Sequence, residues 1–223
     1  MKIKGYIFDY GGTLDTGGRH WGKVIWHAYE QQQVPVSEAA FREAYVYAER
    51  TLGKKNIIQS DFTFKRTLEE KIRLQMEYLK LTYLSSLTDR LYEGTVATTA
   101  KSREVLLRLR EEYPLVLVSN FYGNMTTVLK EFGFDGLFQA VIESAVVGVH
   151  KPDPRIFSFG VEALGMKPEE VAVVGDSMDK DIIPAREAGC QTIWFKGEGW
   201  TDDVVDESTA DQVITDLSEL IRN

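Results

Sequence analysis

The chain has 223 residues, 43% of them apolar, 27% charged and 11% aromatic, a balance that excludes disordered, collagenous and disulfide-stapled classes and leaves enough length to bury a sizeable core. With 34 acidic residues against 26 basic ones the net charge is −8, which argues against binding a phosphate backbone, so no nucleic-acid partner is expected. Cys190 is the sole cysteine and no apolar run reaches the roughly 18 residues of a membrane span. With an N-terminal apolar stretch too short for a signal peptide, these features give the expectation of a cytoplasmic chain with no membrane partner.

Ile3 to Phe8 is a short aromatic and β-branched run that ends at Asp9 and breaks into Gly11, Gly12, Gly17 and Gly18, as a buried strand entering a loop does. Trp21, Val24, Ile25, Ala28 and Tyr29 then recur at the spacing of one helical face. Ser37 can cap a second helix carrying Phe41, Ala44, Tyr45, Ala48 and Leu52, with Gly53 ending it. Asp61 can cap a third carrying Phe64, Leu68, Ile72 and Met76, and a further helical stretch reaches Glu93. After Gly94 a helical pattern, Ala100 to Glu111, alternates with apolar runs: Leu115 to Val118, Ala140 to Ile142, Val171 to Val174, Thr192 to Phe195 and Gln212 to Ile214. Strands alternating with helices predict βαβ units and a parallel sheet covered on both faces. The expected architecture is α/β: a Rossmann-like, doubly wound core over residues 1–16 and 94–223, interrupted by an all-helical cap over 17–93.

In an open parallel sheet, ligands bind outside the carboxyl ends of the strands. The residues there are Asp9 and the Gly11–Gly12–Thr13 turn, Ser119 and Asn120, and Asp176, Ser177, Asp179 and Asp181, with Lys151 in a proline-held loop between the last two groups. Close carboxylates repel unless a cation sits among them, and an all-oxygen set with no His or Cys suits Mg²⁺. Lysine and glycine-freed amides beside it suit a phosphoryl group, with an Asp available as nucleophile. Asp179 reads as solvent-facing, Asp181 as a ligand that could also cap the helix containing Pro184, Lys54 and Lys55 as a solvated helix-end pair, and Cys190 as a small buried residue.

FDYGGTLDT at 8–16, LVLVSN at 115–120, HKPDPRIF at 150–157 and VVGDSMDKDIIPAREAG at 173–189 resemble, in order, the four motifs of the haloacid-dehalogenase-like hydrolase superfamily. The resemblance implies that Asp9 attacks phosphorus to form an aspartyl-phosphate, that Ser119, Asn120, Gly12 and Lys151 bind the phosphoryl group, and that Lys151 neutralises its charge. It implies Mg²⁺ held by Asp9, the Gly11 carbonyl and Asp176, with Asp181 on a metal-bound water or behind the ligands. The expected substrate is a small phosphorylated metabolite and the expected assembly a monomer or homodimer.

One position departs from the pattern. The family's phosphatases usually carry a second Asp two residues after the nucleophile, the general acid for the leaving group; here that residue is Gly11, and general acid–base catalysis contributes roughly 10² to 10⁴ in rate. Three readings follow: a substrate with a good leaving group (anomeric or acyl phosphate, phosphoanhydride), a surrogate acid from the cap with His20 nearest, or a non-catalytic phosphate-ligand-binding protein. A haloacid dehalogenase, attacking carbon without metal, fits less well with Asp176 and Asp181 present. The acidic surplus is regional, because eight acids and no Lys or Arg lie between 197 and 221, so the charge does not count against an anionic substrate.

Overall fold

The structure, a computed structural model, describes residues 2–201 and 205–221. Strand β1 (Gly5–Phe8) is followed by α1 (Trp21–Gln31), α2 (Glu38–Lys54), α3 (Phe64–Tyr78) and α4 (Ser85–Leu109). Then come β2 (Leu115–Ser119), α5 (Met125–Glu131), β3 (Ala140–Glu143), the single turn α6 (Ser144–Val147) and α7 (Arg155–Leu164). The chain closes with β4 (Val171–Gly175), α8 (Ile183–Glu187), β5 (Gln191–Phe195) and β6 (Gln212–Ile214).

The strands form one parallel sheet in the order β3-β2-β1-β4-β5-β6, a Rossmann-like, doubly wound α/β arrangement whose switch point lies between β1 and β4. Side chains alternate across it. Tyr6, Phe8, Leu115, Leu117, Ala172 and Val174 share one face with Leu106 and Leu109 of α4, while Ile7, Val116, Val118 and Val173 meet Ile156, Phe157 and Val161 of α7 on the other. Burial on both faces is why these strands read as unbroken apolar runs.

Local differences from the expected elements have identifiable causes. Thr63, not Asp61, caps α3: its hydroxyl accepts the Arg66 N–H at 3.2 Å, and Glu131 Oε2 accepts the Phe64 N–H at 2.5 Å. Helix α2 passes through Gly53 to Lys54, and α4 runs unbroken through Gly94, where the expected domain boundary falls. An exposed mid-helix glycine costs only about 1 kcal/mol, which is outweighed because Leu87 and Leu91 bury one end of α4 in the helical insertion and Leu106 and Leu109 bury the other on the sheet. Asp181 caps no helix; Ser177 caps a single π turn, Met178–Ile182, that precedes α8.

The acidic C-terminal segment is partly tied down. Glu198 bonds His27 at 2.8 Å, Glu207 pairs with Lys196, and Asp211 accepts the Thr192 N–H at 2.8 Å; Asp202 and Asp203 lie outside the described residues. Trp200 packs on α1 so closely that a Cβ on Gly22 would sit 2.0 Å from its ring, and it also meets the rings of His20 and Tyr45.

Tyr10 is fully buried edge-on to Phe121 and Phe134, yet its hydroxyl has no hydrogen-bond partner among the described residues. A buried unsatisfied hydroxyl is a net cost, so Tyr10→Phe is expected to raise the unfolding free energy by about 1 kcal/mol in urea titrations. A loss of stability instead would mean that the hydroxyl is bonded in solution.

Candidate active site

The carboxyl ends of β1, β2 and β4 deliver Asp9, Ser119 and Asp176 to one volume, because adjacent parallel strands end at the same edge. Lys151 joins them from the loop before α7. Its Nζ donates to Asp9 Oδ1 at 2.6 Å and to Asp181 Oδ1 at 2.7 Å, with all three side chains buried. Asp181 Oδ2 also accepts the Ser177 N–H at 3.0 Å. The Thr13 hydroxyl accepts the Asp176 N–H at 3.0 Å, and its single proton is shared between Asp176 Oδ1 at 3.1 Å and Asp9 Oδ2 at 3.2 Å.

Oxygen atoms of Asp9, Asp176 and Asp181 lie within 4.8 Å of one another. Burial pushes Asp9 up to about 6, Lys151 opposing and Asp181 adding to the rise. Burial, then Asp181 and Asp9, push Asp176 well above the usual carboxylate range. For Lys151 burial favours the neutral amine, but Asp181 and Asp9 outweigh it and hold the pKa above its ordinary value. Three carboxylates answered by one ammonium leave a negative excess, and an all-oxygen donor set of this kind fits a hard divalent cation.

Two residues expected to bind the phosphoryl group are engaged elsewhere. Asn120 spends both ends of its amide on the Lys151 backbone, Nδ2 donating to the carbonyl at 3.0 Å and Oδ1 accepting the N–H at 2.9 Å, so it positions the lysine loop. The Gly12 N–H donates to Asp15 Oδ1 at 2.7 Å; a glycine is required here because φ is +104° and a Cβ would lie 2.4 Å from the Asp176 carboxylate. Ser119 ends β2 against the cavity, and its hydroxyl makes no hydrogen bond to another described residue. Gly11 is exposed, and its side-chain direction holds only the Trp21 Cδ1 atom, 3.9 Å from where a Cβ would stand.

His20 does not suit the role of surrogate acid. Its Nδ1 accepts the Gly22 N–H at 3.0 Å as the N-cap of α1, and burial, then Lys180, lower its pKa to about 4, which leaves the ring neutral.

The site includes residues that sequence patterns did not single out. Asp15 is buried, with Oδ2 accepting the Trp21 Nε1–H at 2.8 Å, and burial pushes it up to about 7. Glu143, at the end of β3, accepts N–H groups from Gly123 and Met125 and so fixes the loop after β2. A cavity of about 530 Å³ opens over the cluster, lined from the helical insertion by Trp21, Tyr45, Glu49, Phe64 and Lys71 and by Tyr122 of the core. Its mouth carries Lys54 and Lys55. Asp179 faces solvent and Cys190 is buried, as expected.

A family model for haloacid dehalogenase-like hydrolases matches residues 3–189. Over 124 residues, 54% of this chain and 51% of the relative, the chain is 35% identical to a glyceraldehyde 3-phosphate phosphatase of Pyrococcus furiosus. The chain spans about half the length, or less, of the curated relatives it matches. A crystallised dehalogenase with an intermediate complex superposes with a TM-score of 0.68 at 20% identity, covering 98% of this chain and 96% of that one. A HAD phosphatase of Thermococcus onnurineus does so with a TM-score of 0.60 at 23% identity, covering 98% and 96%. These two likenesses are of fold. With the family match running from before Asp9 to beyond Asp181, and the residues between them converging at the sheet's switch point, the chain belongs to the haloacid dehalogenase-like hydrolases.

Proposed function

We propose that the protein is a Mg²⁺-dependent phosphohydrolase acting on a small phosphorylated metabolite through an aspartyl-phosphate at Asp9. The observation that carries this reading is Lys151 bridging Asp9 and Asp181 beside Asp176, a charge cluster on the buried floor of a cavity. The phosphatase name of the Pyrococcus furiosus relative supports it. Mg²⁺ would be held by Asp9, Asp176 and the Gly11 carbonyl, with Asp181 holding a metal-bound water or standing behind the ligands; when bound it supplies charge neutralisation for the transferring phosphoryl group.

The chain's own residues account for the rest. A carboxylate oxygen of Asp9 attacks phosphorus while the bond from phosphorus to the leaving oxygen breaks; water then attacks the same phosphorus and the Asp9–phosphorus bond breaks, releasing phosphate. Lys151 orients Asp9 through Oδ1 and offsets the charge of the transferred group, and the free Ser119 hydroxyl can donate to it. The helical insertion, acting as a cap, excludes water during transfer. Gly11 has no proton to give, so leaving groups that need little protonation are favoured: anomeric phosphates, acyl phosphates and phosphoanhydrides.

A panel of alkyl, aryl, anomeric and acyl phosphates and pyrophosphate, assayed with Mg²⁺ and with EDTA, tests this. Phosphate release is expected only with Mg²⁺ and fastest from the anhydride, acyl and anomeric members. Equal rates on alkyl esters would remove the leaving-group account of Gly11. No release from any member would favour a non-catalytic phosphate-binding protein, and EDTA-insensitive release would overturn the metal requirement.

A further inference from the structure

The cavity over Asp9 is polarised along its length. Its carboxylates are Asp9, Asp15, Asp176 and Asp181 on the core side, and on the insertion side Glu49 alone. Against Glu49 stand Lys71 of α3, Lys54 and Lys55 at the end of α2, and Lys180 in the turn after β4. Lys54, Lys55 and Lys180 make no ion pair with any described carboxylate. An excess of ammonium groups at one end of a cavity draws anions to that end.

Lys71 is the cation the fold invests in. Its side chain is 11% exposed, and its Nζ lies 2.7 Å from Glu49 Oε1. The Tyr122 hydroxyl donates to the other Glu49 oxygen at 2.7 Å, whereas Lys71 meets Oε1 as an ion pair outside hydrogen-bond geometry, which leaves its ammonium donors for a further anion. Burial works against the charge on Lys71, but Glu49, Tyr45 and Asp15 together hold its pKa above the ordinary value. The pair is partly buried, and such an ion pair is a weak means of stabilising a cap, since packed apolar side chains serve as well or better; beside a phosphoryl site it is a means of reading charge. The position fits the leaving group. Trp21 Cδ1 is the atom that a Cβ on Gly11 would meet, and Lys71 Nζ lies 5.9 Å from the centre of the same indole.

We infer that the substrate carries a second anionic group, a carboxylate or a second phosphate, on the portion that departs, and that Lys71, with Lys54 and Lys55 at the mouth, recognises it. This rests on the phosphohydrolase reading above and specifies its substrate class. A cavity of about 530 Å³ is in the range that encloses small metabolites.

The test measures kcat/KM by phosphate release, with Mg²⁺, on matched anomeric phosphates: glucuronate 1-phosphate against glucose 1-phosphate for a carboxylate, and glucose 1,6-bisphosphate against glucose 1-phosphate for a second phosphate. Acetyl phosphate serves as a control. The anionic member of at least one pair is expected to be preferred tenfold or more, and the preferred pair tells carboxylate from phosphate. Lys71→Gln is expected to bring that ratio close to one, the loss appearing in KM, and Lys71→Arg to keep most of it. The exposed double substitution Lys54→Gln/Lys55→Gln, which leaves the Glu49 pair intact, is expected to lower the ratio severalfold and stands in if Lys71→Gln does not fold. Acetyl phosphate turnover with ratios below threefold in both pairs, or a ratio that survives both sets of lysine substitutions, overturns the inference alone. No release from acetyl phosphate or any ester overturns the hydrolase reading and this inference with it.

Discussion

Asp9→Asn is expected to abolish phosphate release, a loss on the order of 10⁴ or more, as removal of a covalent nucleophile produces elsewhere. An amide oxygen is neutral and cannot form the acyl-phosphate, while its shape still fills the place between Lys151 Nζ and the Thr13 hydroxyl, 2.6 and 3.2 Å from the present carboxylate oxygens. The same substitution removes one charge from a buried cluster in which Asp9 is already pushed up to about 6 by burial. The metal-free variant is therefore expected to unfold at the same temperature as the parent or higher, and to gain less from added Mg²⁺. Lost activity with retained stability separates a chemical role from a structural one. Turnover within tenfold of the parent would remove Asp9 as the nucleophile.

Gly11→Asp is expected to raise turnover of alkyl phosphates by roughly 10² to 10⁴, the usual contribution of a positioned general acid. Space permits it. Gly11 is exposed, its φ is not in the left-handed region, and a Cβ there would meet only Trp21 Cδ1 at ordinary contact distance, 3.9 Å. Gly12 next to it could not be changed in this way, since a Cβ there collides with Asp176. The gain is expected to be small on acyl phosphates, whose leaving group departs as a stable anion. Rates measured on both substrates decide the matter: an equal change on each would show that Gly11 is not the position of a missing acid.

The features legible in the sequence are those set by local physics. The apolar runs are legible because strands of a parallel sheet bury both faces, and the polar residues just beyond them are site candidates because the connection rules of such sheets put ligands there. That logic brought Asp9, Ser119, Asp176 and Asp181 to one place without any long-range information. Capping was legible only where one candidate existed. Ser37 was unambiguous, whereas Asp61 and Thr63 are both good cap residues, and the selection of Thr63 went with the Glu131 carboxylate, which accepts the N–H of Phe64 from 67 residues along the chain. The break read at Gly94 failed for a related reason: intrinsic propensity marks a weak point in a helix, but packing at its two ends decides whether the helix breaks there.

Tertiary structure alone decided how the polar groups pair. Asn120 reads as a phosphate ligand and holds the Lys151 loop; Gly12 reads as a phosphoryl-binding amide and is bonded to Asp15. The Glu49–Lys71–Tyr122 group joins two helices of the insertion to a loop of the core, and no periodicity marks any of its members. By itself the sequence determined the α/β class, the parallel sheet and the run of helices between its first two strands, and it marked the strand-end residues that the fold brings together. It left open which buried charge answers which, because a hydrogen bond such as that between Lys151 and Asp9 spans 142 residues. Its energy depends on distance and burial, which exist only once the chain has folded.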